Sequence, residues 1–176
     1  MIKKSNEVVI VAATRTPIGT YKGSLKNIRA DQLGSVVIKE VLKRSRINSN
    51  EIDEVILGQV LTAAAGQNPA RQASINAGLP NFIPSHLVNQ VCGSGLRSII
   101  SGFQTIKLNE AKYIISGGQE NMSITPHALL YRNDKKLSEE KLIDTLTNDG
   151  LIDAFNNYHM GVTAENVAEK FKISRE

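Results

Sequence analysis

The 176-residue chain has a single cysteine, no tryptophan, and only four tyrosines and four phenylalanines. One cysteine cannot close an intramolecular disulfide, which excludes a disulfide-built secreted scaffold and points to a reducing compartment, the cytoplasm. With so few aromatics, and with its 21 Lys and Arg scattered along the chain, it lacks the basic stripe and stacking rings of a nucleic-acid binder, so no nucleic acid is expected as a partner. The three histidines, His86, His127 and His159, have no helical metal-ligand spacing and no second cysteine beside them, so no metal is expected. Long apolar runs are missing too. Residues 8–13 are far too short for a membrane span or a signal segment, so neither membrane nor targeting sequence is expected. The net charge of +4 suits an anionic small molecule or simple solubility equally well.

What is present is ordinary for a folded domain: 41% apolar and 22% charged residues, enough to bury one core. Residues 8–13 (VVIVAA) form a continuous apolar run ended by Pro17 and Gly19, the pattern of a strand buried on both faces. From Asp31, taken as the N-cap, apolar residues recur at Leu33, Val36, Val37, Val41 and Leu42, which predicts a half-buried helix. Residues 54–61 suit a second strand, weakened by Gly58. Asn68-Pro69 then starts a short helix that Gly78 stops. Residues 87–91 predict a third strand, leading without a linker into Cys92-Gly93-Ser94-Gly95 and a helix marked by Leu96, Ile99, Ile100, Phe103 and Ile106. Gly95, Ser98 and Gly102 form a small-residue strip beside that apolar face, predicting a central helix buried on both sides. Residues 112–116 give a fourth strand. Strands alternating with helices indicate an α/β fold with a largely parallel sheet and helices on both faces.

After Gly118 the chain turns polar, with a charged stretch over 133–141 and a helix expected near 163–171, so 1–118 is read as the α/β domain and 119–176 as a separate loop region. Ser174-Arg175-Glu176 reads as the cap and first turn of a further helix.

Cys92 follows a strand and opens a helix, so its sulfur should meet unsatisfied N–H groups and the positive end of the helix dipole, both of which favour thiolate. Its own amide could donate to a developing oxyanion. The alternative is a free cysteine packed as a small buried hydrophobe. Gly93-Ser94-Gly95-Leu96-Arg97-Ser98 fails as a dinucleotide fingerprint because it ends in Ser and follows the third strand. Cys92-Gly93-Ser94-Gly95 does not place a serine between the right glycines for a hydrolase elbow. Any histidine could serve Cys92 as base, the bland reading of His86 and His127 being surface positions. His159 and Met160, at a turn before a helix, suit an acyl-pocket wall and simple packing equally.

Six separated segments carry a resemblance to the thiolases: 11–19 (VAATRTPIG), 68–72 (NPARQ), 89–97 (NQVCGSGLR), 116–123 (SGGQENMS), 149–155 (DGLIDAF) and 158–168 (YHMGVTAENVA). The resemblance implies two similar α/β halves in five layers, with a loop domain inserted in the first half, of which 119–176 would be part. It implies an acetyl-CoA C-acetyltransferase of fatty acid metabolism that condenses two acetyl-CoA to acetoacetyl-CoA or cleaves a 3-ketoacyl-CoA. Cys92 would carry the acyl group, with His159 and Met160 in the wall of its pocket. Coenzyme A thioesters are then substrates, no cofactor is needed, and the complete fold forms a homo-oligomer. The family's Asn-Glu-Ala-Phe, Gly-His-Pro and second Cys-Gly-Gly-Gly motifs do not occur in these 176 residues. They supply the activating His, the proton-exchanging cysteine and the second oxyanion donor, so this chain alone is expected to be nearly inactive. A non-catalytic remnant or interaction protein is the competing reading.

Overall fold

The computed structural model describes residues 7–130 and 141–176. Of the charged stretch 133–141, only Lys141 falls among them. The chain divides into two compact units, Met1–Ile124 and Thr125–Glu176.

In the first unit, α1 (Ala30–Ser45), β1 (Glu54–Gly58), α2 (Pro69–Asn76), β2 (Ser85–Val88), α3 (Ser94–Lys107) and β3 (Ile114–Gly118) follow in order. The three strands form one parallel sheet in the order β2-β1-β3. Val55 lies opposite Ser85 on one side and Ile115 on the other. The central strand β1 is buried from Val55 to Gly58, as its unbroken apolar run predicts.

Side chains alternate across the sheet, and the two faces are covered differently. Val55, Leu57 and Ile115 join Ile38 of α1 and Ala70 and Ala73 of α2 in the core. On the opposite face α3 comes close because its contact strip is small: Ser94, Ser98 and Gly102 are buried. Gly58 meets that approach. A β-carbon at Gly58 would stand 2.4 Å from the carbonyl carbon of Ser94, so any larger residue would push α3 off the sheet.

Helix α2 starts and stops as its sequence predicts. Asn68 Oδ1 accepts the Arg71 amide at 3.1 Å, Pro69 opens the helix, and Gly78 at φ +89° ends it. A cap of this kind stabilises a helix by about 1 kcal/mol.

Four expectations are corrected. Residues 8–13 pair with no strand among the described residues, and Val9, Ile10 and Val11 are exposed. An apolar run becomes a strand only beside a neighbour that can take its amides. Helix α1 is capped by Arg29, not Asp31; Gln32 Oε1 accepts the Arg29 amide at 3.0 Å, and Asp31, buried in the first turn, pairs with Arg29 at 2.8 Å. Its fully buried positions are Asp31, Gly34, Ser35 and Ile38, while Val36 of the expected apolar face is exposed. Helix α3 is buried on one side only: Leu96, Ile99, Ile100 and Phe103 are exposed.

The second unit holds the antiparallel pair β4 (His127–Ala128) and β5 (Ile143–Asp144), one π-helical turn (Thr147–Leu151) and α4 (Met160–Phe171). Thr145 N–H donates to Pro126 O at 3.3 Å, and Asp144 accepts from Leu146 N–H at 3.0 Å and Thr147 Oγ1 at 2.7 Å. These bonds hold Asp144 below the ordinary carboxylate range, the Thr147 hydroxyl contributing most.

Candidate functional site

All three strands of the sheet run in one direction, so their carboxyl ends share a rim. Ligands of open parallel sheets bind outside that rim. There β1 leads into Gln59 and Val60, β2 into the turn that carries Cys92, and β3 into Gln119 and Glu120.

Cys92 is a free thiol and is exposed, rather than packed as a small hydrophobe. It precedes α3 by two residues, with Gly93 as the cap, so the helix opens later than its sequence suggests. Val91, just before it, sits at φ +48°. For a β-branched residue that is strained backbone, which persists only where neighbouring contacts hold it. Two side chains do so. Asn89 Oδ1 accepts the Val91 amide at 3.0 Å. Buried Ser94 accepts the Gln90 amide on Oγ at 2.8 Å and donates the same hydroxyl to Val91 O, which also accepts the Ser94 amide at 3.0 Å. Among the described residues the Cys92 amide makes no hydrogen bond, leaving a backbone donor beside the thiol.

The neighbouring strand ends are tied to this turn. Asn89 Nδ2 donates to Val60 O at 3.4 Å, and Glu120 accepts the Val60 amide at 2.7 Å and the Leu61 amide at 3.3 Å. Burial pushes the Glu120 carboxyl above its ordinary value, the two amides opposing it. Gln119 Nε2 donates to Gln59 Oε1 at 2.8 Å, and Gln59 donates on to Leu61 O at 2.9 Å. The turn and the two other exits thus form one hydrogen-bonded rim. Asn89, Ser94, Gln119 and Glu120 lie within the segments that resemble thiolases, yet none was expected as a site residue. Asn and Ser beside a strand end are turn-forming residues, and that signal could have singled out the first two.

His86 and His127 stand away from this rim or outside its unit. His86 lies 3.0 Å from Glu54 Oε1, at the amino end of the sheet. His127 is on β4 of the second unit. His159 and Met160 also belong to the second unit: His159 caps α4, its Nδ1 accepting the Gly161 amide at 2.9 Å, and Met160 is the first helical residue. With Nδ1 an acceptor, the neutral ring carries its proton on Nε2. Among the described residues no three His, Cys, Asp or Glu side chains gather as a metal site. No described helix is long and apolar enough to cross a membrane.

A parallel α/β sheet with one free thiol exposed on a braced turn at its carboxyl rim defines the structural class of this chain. Residues 8–176 match the family model described as the N-terminal domain of thiolase, and the chain belongs to that family. Among curated proteins it is 52% identical over 171 residues to an acetyl-CoA acetyltransferase of Pseudomonas aeruginosa, covering 97% of this chain and 44% of that protein. It is 48% identical over 172 residues to a cytosolic acetyl-CoA acetyltransferase of Rattus norvegicus, covering 98% of this chain and 43% of the relative. The chain therefore spans less than half the length of the curated relatives it matches.

Proposed function

We propose that Cys92 is the acylated nucleophile of an acetyl-CoA C-acetyltransferase, active when this chain is joined to the remainder of the thiolase fold. In the thiolytic direction the Cys92 thiolate attacks the 3-keto carbon of a 3-ketoacyl-CoA. The bond between carbons 2 and 3 breaks, its electron pair goes to carbon 2, and that carbon takes a proton and leaves as acetyl-CoA. The thiol of a second coenzyme A then attacks the acyl-cysteine, gives up its proton, and releases the Cys92 thiolate. The reverse sequence joins two acetyl-CoA into acetoacetyl-CoA. The Cys92 amide supplies one donor to the oxyanion, beside the positive end of α3. His159 and Met160 line the acyl pocket, and the second unit is part of the inserted loop domain. The cytosol is the site of action, in keeping with the name of the rat relative.

The observation that carries this reading is the exposed Cys92 thiol beside its unbonded amide, on a strained turn braced by Asn89 and Ser94. The test is mass spectrometry of the chain assembled with the C-terminal part of a relative and incubated with acetyl-CoA. One acetyl group is expected on the peptide containing Cys92, and none after Cys92→Ala. An assembled complex that acetylates no residue, or another one, overturns the assignment.

A second reading rests on the exposed apolar side of α3. Leu96 is 66% exposed and Phe103 47%, a surface that suits a non-catalytic interaction protein as well as an enzyme awaiting its other half. In that case the assembled complex forms and stays unacetylated.

A further inference from the structure

Two carboxyl groups clamp the same pair of strands at opposite ends. At the amino end Asp53, just before β1, accepts the amides of Lys112 and Tyr113, just before β3, at 2.7 and 2.9 Å. At the carboxyl end Glu120, past β3, accepts the amides of Val60 and Leu61, past β1, at 2.7 and 3.3 Å. Backbone amides that lie outside the ladder need another partner, and each carboxyl supplies one for two of them at once. The two clamps differ in what lies beyond them, because Asp53 stands at the end of the sheet away from the turn that carries Cys92.

From Glu120 a continuous path of bonds runs to that turn. Val60 gives its amide to Glu120, and its carbonyl accepts Asn89 Nδ2 at 3.4 Å. Asn89 takes the Val91 amide on Oδ1 at 3.0 Å. Asn89 is exposed, so bonds rather than packing orient it. A planar amide anchored at its nitrogen presents its oxygen in a set direction, and the place of Val60 thus decides where Oδ1 stands. Val91, at φ +48°, directly precedes Cys92, and a β-branched residue keeps such a backbone only while its contacts hold it. Ser94, the other brace, acts within the turn, whereas Asn89 ties the turn to β1. The residues beside Glu120 are themselves held: Gln119 N–H donates to Gly58 O at 2.9 Å, and Asn121 Nδ2 donates to Ile28 O at 2.6 Å. The carboxyl is the fixed end of the path and the thiol its free end.

We propose that Glu120 is a positioning residue for Cys92: through Val60 and Asn89 it holds Val91 in its left-handed conformation and so fixes where the thiol stands at the start of α3. The proposal rests on the reading of Cys92 as the nucleophile and adds to it a residue that acts on the sulfur only through others. Loss of the carboxyl frees the Val60 and Leu61 amides, lets Val60 O move from Asn89, and allows Val91 to relax toward the extended region that its side chain prefers. The thiol then leaves the helix end that favours its reaction.

The single cysteine makes the test direct, because Cys92 carries the only thiol that iodoacetamide can alkylate. The alkylation rate at one neutral pH and amide hydrogen exchange at Val91 are measured on the 176-residue chain. Glu120→Ala should slow alkylation at least about 3-fold and speed Val91 exchange about 10-fold or more. Glu120→Gln keeps an acceptor for Val60 and should return both to within about 2-fold of the native chain. Asp53→Ala removes a clamp of the same kind at the other end of the sheet and should change neither, which separates positioning from general loosening. If Glu120→Ala does not fold, Glu120→Asp, one methylene shorter, is read in its place against the same outcomes. Unchanged alkylation, a Val91 amide that exchanges as before, a Gln variant that behaves like the shortened one, or an equal effect of Asp53→Ala each overturns the proposal. No acetyl transfer is read, so failure here leaves Cys92 standing as the acylated residue, and an assembled complex that stays unacetylated leaves this coupling standing.

Discussion

Glu120 shows how a single side chain can serve the rim at a cost to itself. Its carboxylate holds the amides of Val60 and Leu61 where β1 leaves the sheet, and burial lifts its pKa above the ordinary 4.5. A carboxyl whose folded pKa is raised binds its proton more tightly in the folded state than in the unfolded one. Its contribution is present in full below the unfolded pKa and is lost as pH rises through the folded value. Glu120→Gln keeps an acceptor for Val60 and removes the titration. In urea unfolding, the stability of the native chain relative to Glu120→Gln should therefore fall as pH rises above about 4.5 and recover on acidification. Asp144 and Asp153, both lowered by hydrogen bonds, change stability in the opposite direction but are common to the two proteins and cancel in the difference. A difference that does not vary with pH would show that burial does not govern this carboxyl. Nothing in the sequence marks Glu120 for this role, because the amides it holds are sixty residues away along the chain.

At the scale of elements, the caps divide into those a short sequence window reveals and those it hides. Asn68-Pro69 and Gly78 bound α2 as their chemistry dictates, since a side-chain oxygen, a missing N–H and a positive φ act within a few residues. His159 is the less obvious case. The helix was expected near Thr163, yet α4 opens at Met160 because the ring nitrogen of His159 takes the Gly161 amide. His159→Ala should cost α4 about 0.5–2 kcal/mol, visible as lost helical circular dichroism, and His159→Asn should retain most of it. Equal helicity in both variants would mean that the cap does not hold the helix. Helix α3 carries the opposite lesson. Its apolar residues stand out in the sequence, but its small residues make the contact with the sheet, because only they let two backbones approach as Gly58 and Ser94 do.

For the whole molecule, the decisive fact is that the chain covers 44% of a relative whose fold it shares at 52% identity. The Asn-Glu-Ala-Phe, Gly-His-Pro and second Cys-Gly-Gly-Gly motifs are not among its 176 residues. A general base and an oxyanion donor each contribute about 10²-fold or more to rate, so the purified chain should cleave acetoacetyl-CoA at least about 10⁴-fold more slowly than the Pseudomonas aeruginosa relative. A steady-state thiolysis assay decides this, and a rate near that of the relative would mean that the 176 residues contain a complete site.

The alternation of strands and helices, the ends of α2 and the strand-to-helix turn that presents Cys92 are all legible in the order of the amino acids. Each of these depends on periodicity or on turn chemistry acting over a few residues. Packing in three dimensions selects which face of α1 and α3 is buried, and leaves residues 8–13 without the pairing their apolar run announces. It also assembled Asn89, Ser94, Gln119 and Glu120 into one rim. The physical reason is the same throughout: burial and backbone pairing belong to two surfaces at once, and a sequence window contains only one of them.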